Sequence, residues 1–276
     1  MARPNPFLLL PAALLWLLVS AGCSGLLPLP AVQLDIDQAP ATIDYAPLDS
    51  VLFRCVRAEG QLVTRALTDQ AETLDRQLRI LAVTGPTATP EQLVTREQKL
   101  AYWYNARAAW SMKLALLADF ELTRPLEDHM NRSIPLDGRQ MSIAAIDRTL
   151  GEDEDFRVAA AAPGVSYQTA RLPERAFGPE DILERVERRF EGLLDDPRRV
   201  IVDIDAQDIR WPRVIWQMRD RIRCQATRRY GLVEPTLRTA LLWHVGGSAH
   251  RRLQDAIGYR DRARTSKLEL VDLIDY

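Results

Sequence analysis

The chain has 276 residues, of which 47% are hydrophobic and 27% are charged, and its formal net charge is −2 at pH 7. This composition excludes a disordered or fibrous chain and predicts one globular domain, or one domain with extensions. The 36 basic residues are balanced by 38 acidic ones, and no Gly-rich phosphate loop or aromatic-basic platform occurs, which argues against a nucleic-acid partner.

Residues 1–22 have the pattern of a bacterial export signal. Arg3 precedes an apolar run over residues 7–19, which is too short to span a bilayer as a helix. The run is followed by Ser-Ala-Gly-Cys, which resembles a lipobox, although Ser20 stands where leucine is usual. We therefore predict that Cys23 is lipidated and anchors the protein to a membrane of the cell envelope. Cleavage by ordinary signal peptidase, giving a secreted or periplasmic soluble protein, is the alternative.

Three parts follow the signal peptide. Residues 23–47 are rich in Pro, Leu and Ala and lack helical periodicity, so they are expected to form an extended tether. Residues 48–247 are expected to form the globular domain. Residues 248–276 are expected to form a charged, solvated and partly helical tail. In the alternative interpretation, the basic residues of this tail contact anionic lipid headgroups.

Helical periodicity dominates the first half of the domain. Residues Glu59 to Val83 predict one amphipathic helix, which ends at Gly85-Pro86. Arg96 to Leu117 predict the central helix, about 33 Å long at 1.5 Å per residue. The predicted core face of the central helix consists of Leu100, Trp103, Trp110, Leu114 and Leu117.

The second half mixes short strands with helices. Asp137-Gly138 predicts a tight hairpin turn, and Ser142 predicts the cap of a short helix ending at Leu150. Further predicted elements are a strand or helix over Phe156 to Ala162, a helix from Gly178 to Leu194, strands at Val200 to Ile204 and Ile209 to Trp211, and helices from Pro212 to Tyr230 and from Thr236 to Val245. The sequence thus predicts an α+β, mostly helical single domain with a small β-sheet.

Two tryptophans and one amide define the expected core. We predict that Trp103 and Trp110 are buried against the apolar segments 156–162 and 200–204. Asn105 lies within this aromatic run, and a buried amide must be hydrogen-bonded. Asn105 is therefore predicted to be a structural polar residue that bonds backbone between residues 159 and 166.

Four blocks in order resemble the bacterial and plant family called domain of unknown function 547. They are KLAYWYNARAAWSMKLAL, IPLDGRQMSIAAIDRTL, FRVAAAAPGVSYQTARLPERAF and GPEDILERVERRFEGLLDDPRRVIVD, and the resemblance covers roughly residues 48–222. In the first block, Tyr102, Trp103, Tyr104 and Asn105 match the family's Phe-Trp-Ile-Asn-x-Tyr-Asn-Ala signature, whereas Arg107 and Ala108 stand where the family has Tyr and Asn.

The third block departs from the family at the residues that carry chemistry. The family usually reads Leu-Asn-Cys-Ala-x-x-Ser-Cys-Pro-Pro, and this chain has Ala162 and Tyr167 at the two cysteine positions. The family's Ile-Glu-His turn in the second block is Ile146, Asp147 and Arg148 here. Neither a thiolate nucleophile nor a thiolate metal site is possible without sulfur. The resemblance therefore implies a divergent member that has lost any cysteine chemistry.

The remaining chemistry favours binding over catalysis. Ser166 is retained from the family block, but no Gly-x-Ser-x-Gly elbow surrounds it. The three histidines, His129, His244 and His250, have no zinc-ligand spacing, so neither a metal nor a cofactor is predicted. We predict a non-catalytic binding or structural module that has no catalytic residue, with an unidentified envelope protein or small molecule as partner. The alternative is a hydrolase with a nonstandard site near Asn105, Asp147 and Ser166.

Two cysteines remain if Cys23 is lipidated. Export to an oxidising compartment permits a disulfide between Cys55 and Cys224, and closing so long a loop is worth about 5 kcal/mol in the chain-entropy model. Cysteines with apolar neighbours also often remain free, so both outcomes are open.

Overall fold

The structure is a computed structural model that describes residues 39–120 and 129–264, together with the backbone of residues 273–274. The predicted signal peptide, Cys23 and the tether up to residue 38 lie outside the described residues. Within the described part, no helix combines the length and the apolar character needed to span a membrane.

Helices make up most of the described chain, with seven short strands between and after them. The α-helices are α1 (Ala46–Cys55), α2 (Thr64–Asp69), α3 (Ala71–Val83), α4 (Arg96–Leu117), α5 (Ile143–Gly151), α6 (Phe156–Ala160), α7 (Ile182–Asp195), α8 (Arg213–Gln217), α9 (Arg219–Tyr230), α10 (Leu237–Leu241) and α11 (Gly247–Asp255). The strands are β1 (Leu62–Val63), β2 (Ile134–Leu136), β3 (Arg139–Met141), β4 (Ile201–Asp203), β5 (Asp208–Trp211), β6 (Arg260–Ala263) and β7 (Leu273–Ile274). The predicted α+β class is confirmed.

The strands form three small sheets. β2 and β3 pair as the predicted antiparallel hairpin, in which Asp137 and Gly138 both have positive φ. β4, β5 and β6 form a three-stranded sheet, in which β5 pairs antiparallel with β4 and parallel with β6. β1 and β7 pair in parallel, with Leu62 opposite Leu273.

The segment after residue 247 belongs to the folded domain. α11 begins at Gly247, and β6 then pairs along its whole length with β5. The predicted tail is partly helical, as expected, but residues 248–263 also include a strand that the prediction lacked. Its many charges concealed the strand, because the exposed face of a small sheet tolerates arginine and aspartate. Asp208 of β5 forms ion pairs with Arg260 and Arg262, with N···O distances of 3.2 and 2.9 Å, which join the two strands electrostatically.

α4 is the centre of the domain. Its first turn has a capping box, in which the Thr95 hydroxyl accepts from the Gln98 N–H and the Gln98 side chain accepts from the Thr95 N–H. From Leu100 to Met112 every residue of the helix is buried. The helix is thus covered on all sides rather than along one stripe, because α2, α3, α5 and α7 pack around it.

The tryptophans of α4 are buried as predicted, with 5% of Trp103 and 3% of Trp110 exposed. The segments expected to cover them are not the main neighbours of the helix. Residues Phe156–Ala160 form α6 rather than a strand, and the neighbours of α4 are helices. Small alanines on several sides of α4 allow this close approach of helices.

The single helix predicted between Glu59 and Val83 is divided. Glu59 and Gly60 have φ of 71° and 72°, which an α-helix does not contain. A Cβ on Gly60 would lie 2.5 Å from the Cβ of Arg171, so the glycine is also required by the approach of that side chain. The segment therefore forms β1, α2 and α3 in succession.

The two cysteines within the described residues are both free, with Cys55 buried in α1 and Cys224 exposed on α9. Burial raises the pKa of the Cys55 thiol to about 12, because the charged thiolate is disfavoured there. Cys55 therefore acts as a core residue.

Candidate functional site

Asn105 lies apart from the other predicted site residues. Its Nδ2 donates to the carbonyl of Phe177 at 2.9 Å, and its Oδ1 accepts from the Phe177 N–H at 2.8 Å. The prediction of a buried structural amide is supported by these contacts, whereas the predicted partner, backbone between residues 159 and 166, is wrong. The two bonds tether the segment before α7 to the central helix.

Asp147 and Ser166 lie on either side of Arg107, a residue of α4 of which 3% is exposed. The Asp147 carboxylate accepts from Arg107 Nε at 2.5 Å and from Nη2 at 3.1 Å, which is a bidentate ion pair. Arg107 Nη1 also donates to the carbonyl of Pro163. A buried guanidinium thus uses all its nitrogens to connect α4, α5 and the loop that contains Ser166.

Ser166 lies in a small apolar pocket. Its Oγ accepts from the Gln168 N–H at 3.2 Å, and 3% of the residue is exposed. The pocket beside it has a volume of about 40 Å³, which holds a few water molecules at most. His129 is buried and lines the same pocket together with Ser111. A pocket of this size does not admit an ester or amide substrate to the hydroxyl.

A larger cavity, here called the Asp147 cavity, lies on the other side of Arg107. Its volume is about 340 Å³. Its charged lining consists of Arg107, Asp147, Arg148 and Arg213, and its amide lining includes Gln168 and Gln217. The Gln168 Oε1 accepts from the Arg213 N–H at 2.8 Å, which fixes the start of α8 against the wall.

Residues 161–171 are held in place by arginine side chains and are here called the arginine-held loop. Arg189 of α7 donates from Nε to the Ala161 carbonyl at 3.2 Å and from Nη2 to the Arg171 carbonyl. Arg199 donates from Nη1 to the carbonyls of Ser166, at 2.8 Å, and Thr169. Together with the bond from Arg107 to Pro163, these bonds satisfy loop carbonyls that the backbone hydrogen bonds of a strand or helix would otherwise satisfy.

Close packing at Gly164 belongs to the same arrangement. A Cβ on Gly164 would lie 2.6 Å from Thr169 Oγ1 and 2.8 Å from Arg107 Nη1. The Gly164 N–H donates to the Ala170 carbonyl at 2.9 Å, which closes the loop on itself. A larger residue at this position would push the guanidinium of Arg107 away from its carbonyl.

Arg199, one of the arginines that hold the loop, shares a buried carboxylate with two further arginines. Asp196, whose side chain is 2% exposed, accepts from Arg171 at 2.9 Å and from the Nε atoms of Arg198 and Arg199 at 3.2 Å. We call these four residues the Asp196 cluster. Burial lowers the pKa of Arg199 to about 10 even though the Asp196 charge raises it. One carboxylate thus supports three guanidinium groups.

The residues at the family's cysteine positions have other roles. Ala162 is buried. Tyr167 receives the guanidinium groups of Arg198, Arg199 and Arg264 over its ring, at 5.3 to 5.6 Å from the centroid.

Sequence reasoning did not find the arginines that organise this region. In the sequence, Arg107 is a charged residue within an apolar helix and a departure from the family pattern, and neither fact predicts its partners. Asp196 and Arg199 lie in the run Asp195 to Arg199, which indicated only a helix end. Arg107 and Arg199 donate to carbonyls of a loop that is 30 residues or more away in sequence, and no local pattern encodes such pairs.

Within the described ranges, no group of three or more His, Cys, Asp or Glu side chains is arranged to hold a metal ion. In comparisons with protein-family models, curated proteins and solved structures, no match to this chain is found, so the resemblance to the domain of unknown function 547 family stays a prediction.

Proposed function

We propose that this protein is a lipid-anchored envelope protein whose folded domain is a non-catalytic binding module, with the Asp147 cavity as its ligand site. One observation carries the proposal: three of the four blocks that resemble the family contribute to this cavity. Arg107 comes from the first block, Asp147 and Arg148 from the second, and Gln168 and Thr169 from the third. Segments that are distant in sequence meet here, as they do in ligand sites at element junctions.

The lining favours a small organic anion. Among the described residues, three guanidinium groups and one carboxylate line the cavity, so this lining carries more positive than negative charge. Arg148 is exposed, and among the described residues no carboxylate lies within 4 Å of its guanidinium. Ligand pockets in proteins usually measure about 300 to 1,000 Å³, so a cavity of about 340 Å³ suits a small molecule. The apolar part of the wall includes Met130, Ala144, Val214 and Met218.

The hydrolase alternative has less support. Asn105 bonds Phe177 rather than either of the other two residues proposed for that site. The Asp147 carboxylate is bound by Arg107, and Ser166 lies in the separate small pocket. A nucleophile and its base must lie within hydrogen-bond reach of one reacting atom, and these three side chains do not meet at one cavity.

An Arg148→Glu variant is expected to lose carboxylate binding. Thermal melts of the full-length protein would be recorded in neutral detergent with a panel of carboxylates from acetate to citrate, at constant ionic strength. At about 100 times Kd a ligand adds about 2.7 kcal/mol, which raises the Tm of a domain of this size by about 5 to 10 °C. Arg148→Glu should abolish this rise, because it reverses a charge at the cavity.

Arg65→Glu is the matched control, since Arg65 is exposed on α2 and outside the cavity lining. The control should keep the full ligand-induced rise in Tm. A panel in which no carboxylate distinguishes the two variants would contradict the proposed ligand site. Turnover of a nitrophenyl ester that disappears in Ser166→Ala would support the hydrolase instead.

Lipid anchoring is tested separately, by intact-mass measurement of protein extracted from membranes. The expected mature chain begins at Cys23 and carries added lipid mass. Cys23→Ser should release the protein from the membrane fraction, whereas Cys224→Ser, at an exposed free thiol, should leave the lipid mass unchanged. A mature chain that begins at Gly22 with a free Cys23 thiol would show that ordinary signal peptidase cleaves the protein.

A further inference from the structure

A second, larger cleft lies at the end of the arginine-held loop. It is lined by Arg171, by residues 172–175 after the loop, by α7 and by Glu59 and Gly60, and its volume is about 590 Å³. Among the described residues, five arginines and three carboxylates line it, so the positive charge of the lining itself exceeds its negative charge by two. The arginines are Arg171, Arg175, Arg185, Arg188 and Arg189, and the acids are Glu59, Glu174 and Asp181.

Arg189 differs from the other four arginines of the cleft. Arg171, Arg175, Arg185 and Arg188 each have a carboxylate within 4 Å, whereas none lies that close to Arg189 among residues 39–120 and 129–264. Its Nε and Nη2 are fixed by the carbonyls of Ala161 and Arg171, and its Nη1 makes no such bond. A guanidinium fixed in one orientation, with one nitrogen left over and no counter-charge, is preorganised for an anion.

Arg171 is a second arginine of the cleft whose positive charge is incompletely neutralised. It shares the Asp196 carboxylate with Arg198 and Arg199, so one negative charge serves three positive ones. Its Nε is buried and has no hydrogen-bond partner within the described residues. Burial of an unsatisfied donor costs free energy, which a bound anion would recover.

We propose that this cleft binds a phosphate-bearing ligand, with Arg171, Arg188 and Arg189 as the groups that contact the anion. A phosphate carries up to two charges and accepts paired N–H groups from guanidinium forks, so it matches an excess of two positive charges better than a monocarboxylate does. Arg188, whose side chain is 63% exposed, lies where a ligand enters. The site goes beyond the proposed Asp147 cavity, which has a different lining.

The helix wall of the cleft offers a substitution that leaves the arginines intact. Gly192 lines the cleft, and a Cβ there would meet no atom within 4 Å. Since glutamate favours a helix more than glycine does, Gly192→Glu should fold. It places a carboxylate in the cleft, where it competes with the ligand. Gly192→Gln matches its size and lacks the charge.

The test is isothermal titration calorimetry of the full-length protein in neutral-detergent micelles, with inorganic pyrophosphate as the probe and KCl to hold ionic strength constant. Saturable binding is expected, weakened about tenfold or more in Arg188→Glu and Gly192→Glu. Gly192→Gln should weaken it less than Gly192→Glu. The charge-matched control Arg65→Glu and the Asp147-cavity variant Arg148→Glu should bind pyrophosphate within about twofold of the parent.

Micelles doped with phosphatidic acid distinguish the two sources of phosphate. Loss of pyrophosphate binding in the doped micelles supports a lipid headgroup as the ligand, and unchanged binding supports a soluble phosphate compound. Absence of saturable binding would overturn the proposal, as would equal weakening by Arg188→Glu and Arg65→Glu. Weakening by Arg148→Glu alone would overturn it too, because the anion would then occupy the Asp147 cavity.

Discussion

Asp196→Ala is expected to lower the free energy of unfolding by about 3 to 5 kcal/mol, the cost of removing one partner from a buried ion pair. The substitution removes the carboxylate that three guanidinium groups share. Arg199, whose side chain is fully buried, would keep its charge and lose its counter-charge. The arginine-held loop would be weakened with it, because Arg199 also donates to the carbonyls of Ser166 and Thr169.

Urea unfolding followed by far-UV circular dichroism measures this change. Asp220→Ala is the matched control, because the Asp220 side chain is 73% exposed and its arginine partners lie 3.6 and 3.8 Å away. An exposed pair of this kind contributes at most about 1 kcal/mol. Equal losses in the two variants would mean that Asp196 does not organise the loop.

The pH dependence of stability in acid gives an independent test of the Asp196 cluster. Burial raises the pKa of Asp196, but hydrogen bonds from Arg198 and Arg171 and the charge of Arg199 outweigh burial and lower the pKa from 3.8 to about 2. The stability from the ionised carboxylate is therefore fully present above about pH 4 and is lost as the pH falls towards about 2. Asp196→Asn should reduce this acid-dependent loss by on the order of 1 to 2 kcal/mol relative to the parent.

Trp110→Ala is expected to lower the free energy of unfolding by a similar amount, about 3 to 5 kcal/mol, as substitutions of buried tryptophan by alanine do. Trp110 is 3% exposed and lies on the helix that the rest of the domain surrounds. Asn105→Ala should cost less, about 1 to 3 kcal/mol, because it creates a smaller cavity and leaves the Phe177 N–H and carbonyl without their partners.

Trp243→Ala is the control for the Trp110 measurement. Trp243 is 58% exposed and stacks on Tyr230 with ring centroids 4.8 Å apart, so its removal should cost about 0.5 to 1.5 kcal/mol. Urea melts of the three variants test this ordering. If Trp110→Ala melts like the parent protein, α4 does not form the core in solution and its aromatic face is a contact surface.

The elements that the sequence predicted well are those determined by neighbouring residues. Thr95 and Gln98 cap α4, and Ser142 caps α5 through the Ala145 N–H. The Asp137-Gly138 turn needs two positive φ values, which these residue types adopt readily. The residues that form such caps and turns lie within four positions of one another, so they can be recognised in the sequence.

The errors concern interactions between distant residues. The stripe predicted for α4 did not include Arg107, whose charge is buried because Asp147 and the Pro163 carbonyl lie within reach. Asn105 was predicted to bond the wrong segment of backbone. A buried amide requires a hydrogen-bond partner, but the sequence around it does not identify that partner. The charged residues of β6 resembled a tail because pairing with β5 depends on where β5 lies.

The parallel pairing of β1 with β7 has a consequence for the order of folding. Residues 62–63 and 273–274 are joined, so this sheet closes a loop that contains nearly all of the domain. Contacts of such high sequence separation form slowly, because the entropy of the intervening chain is lost before the contact is made. The helices around α4 can assemble during synthesis, but β1 lacks its partner β7 until the last part of the domain has been made. A chain that halts midway would thus present an open strand edge to wrong partners, so prompt completion of the chain helps to protect this fold.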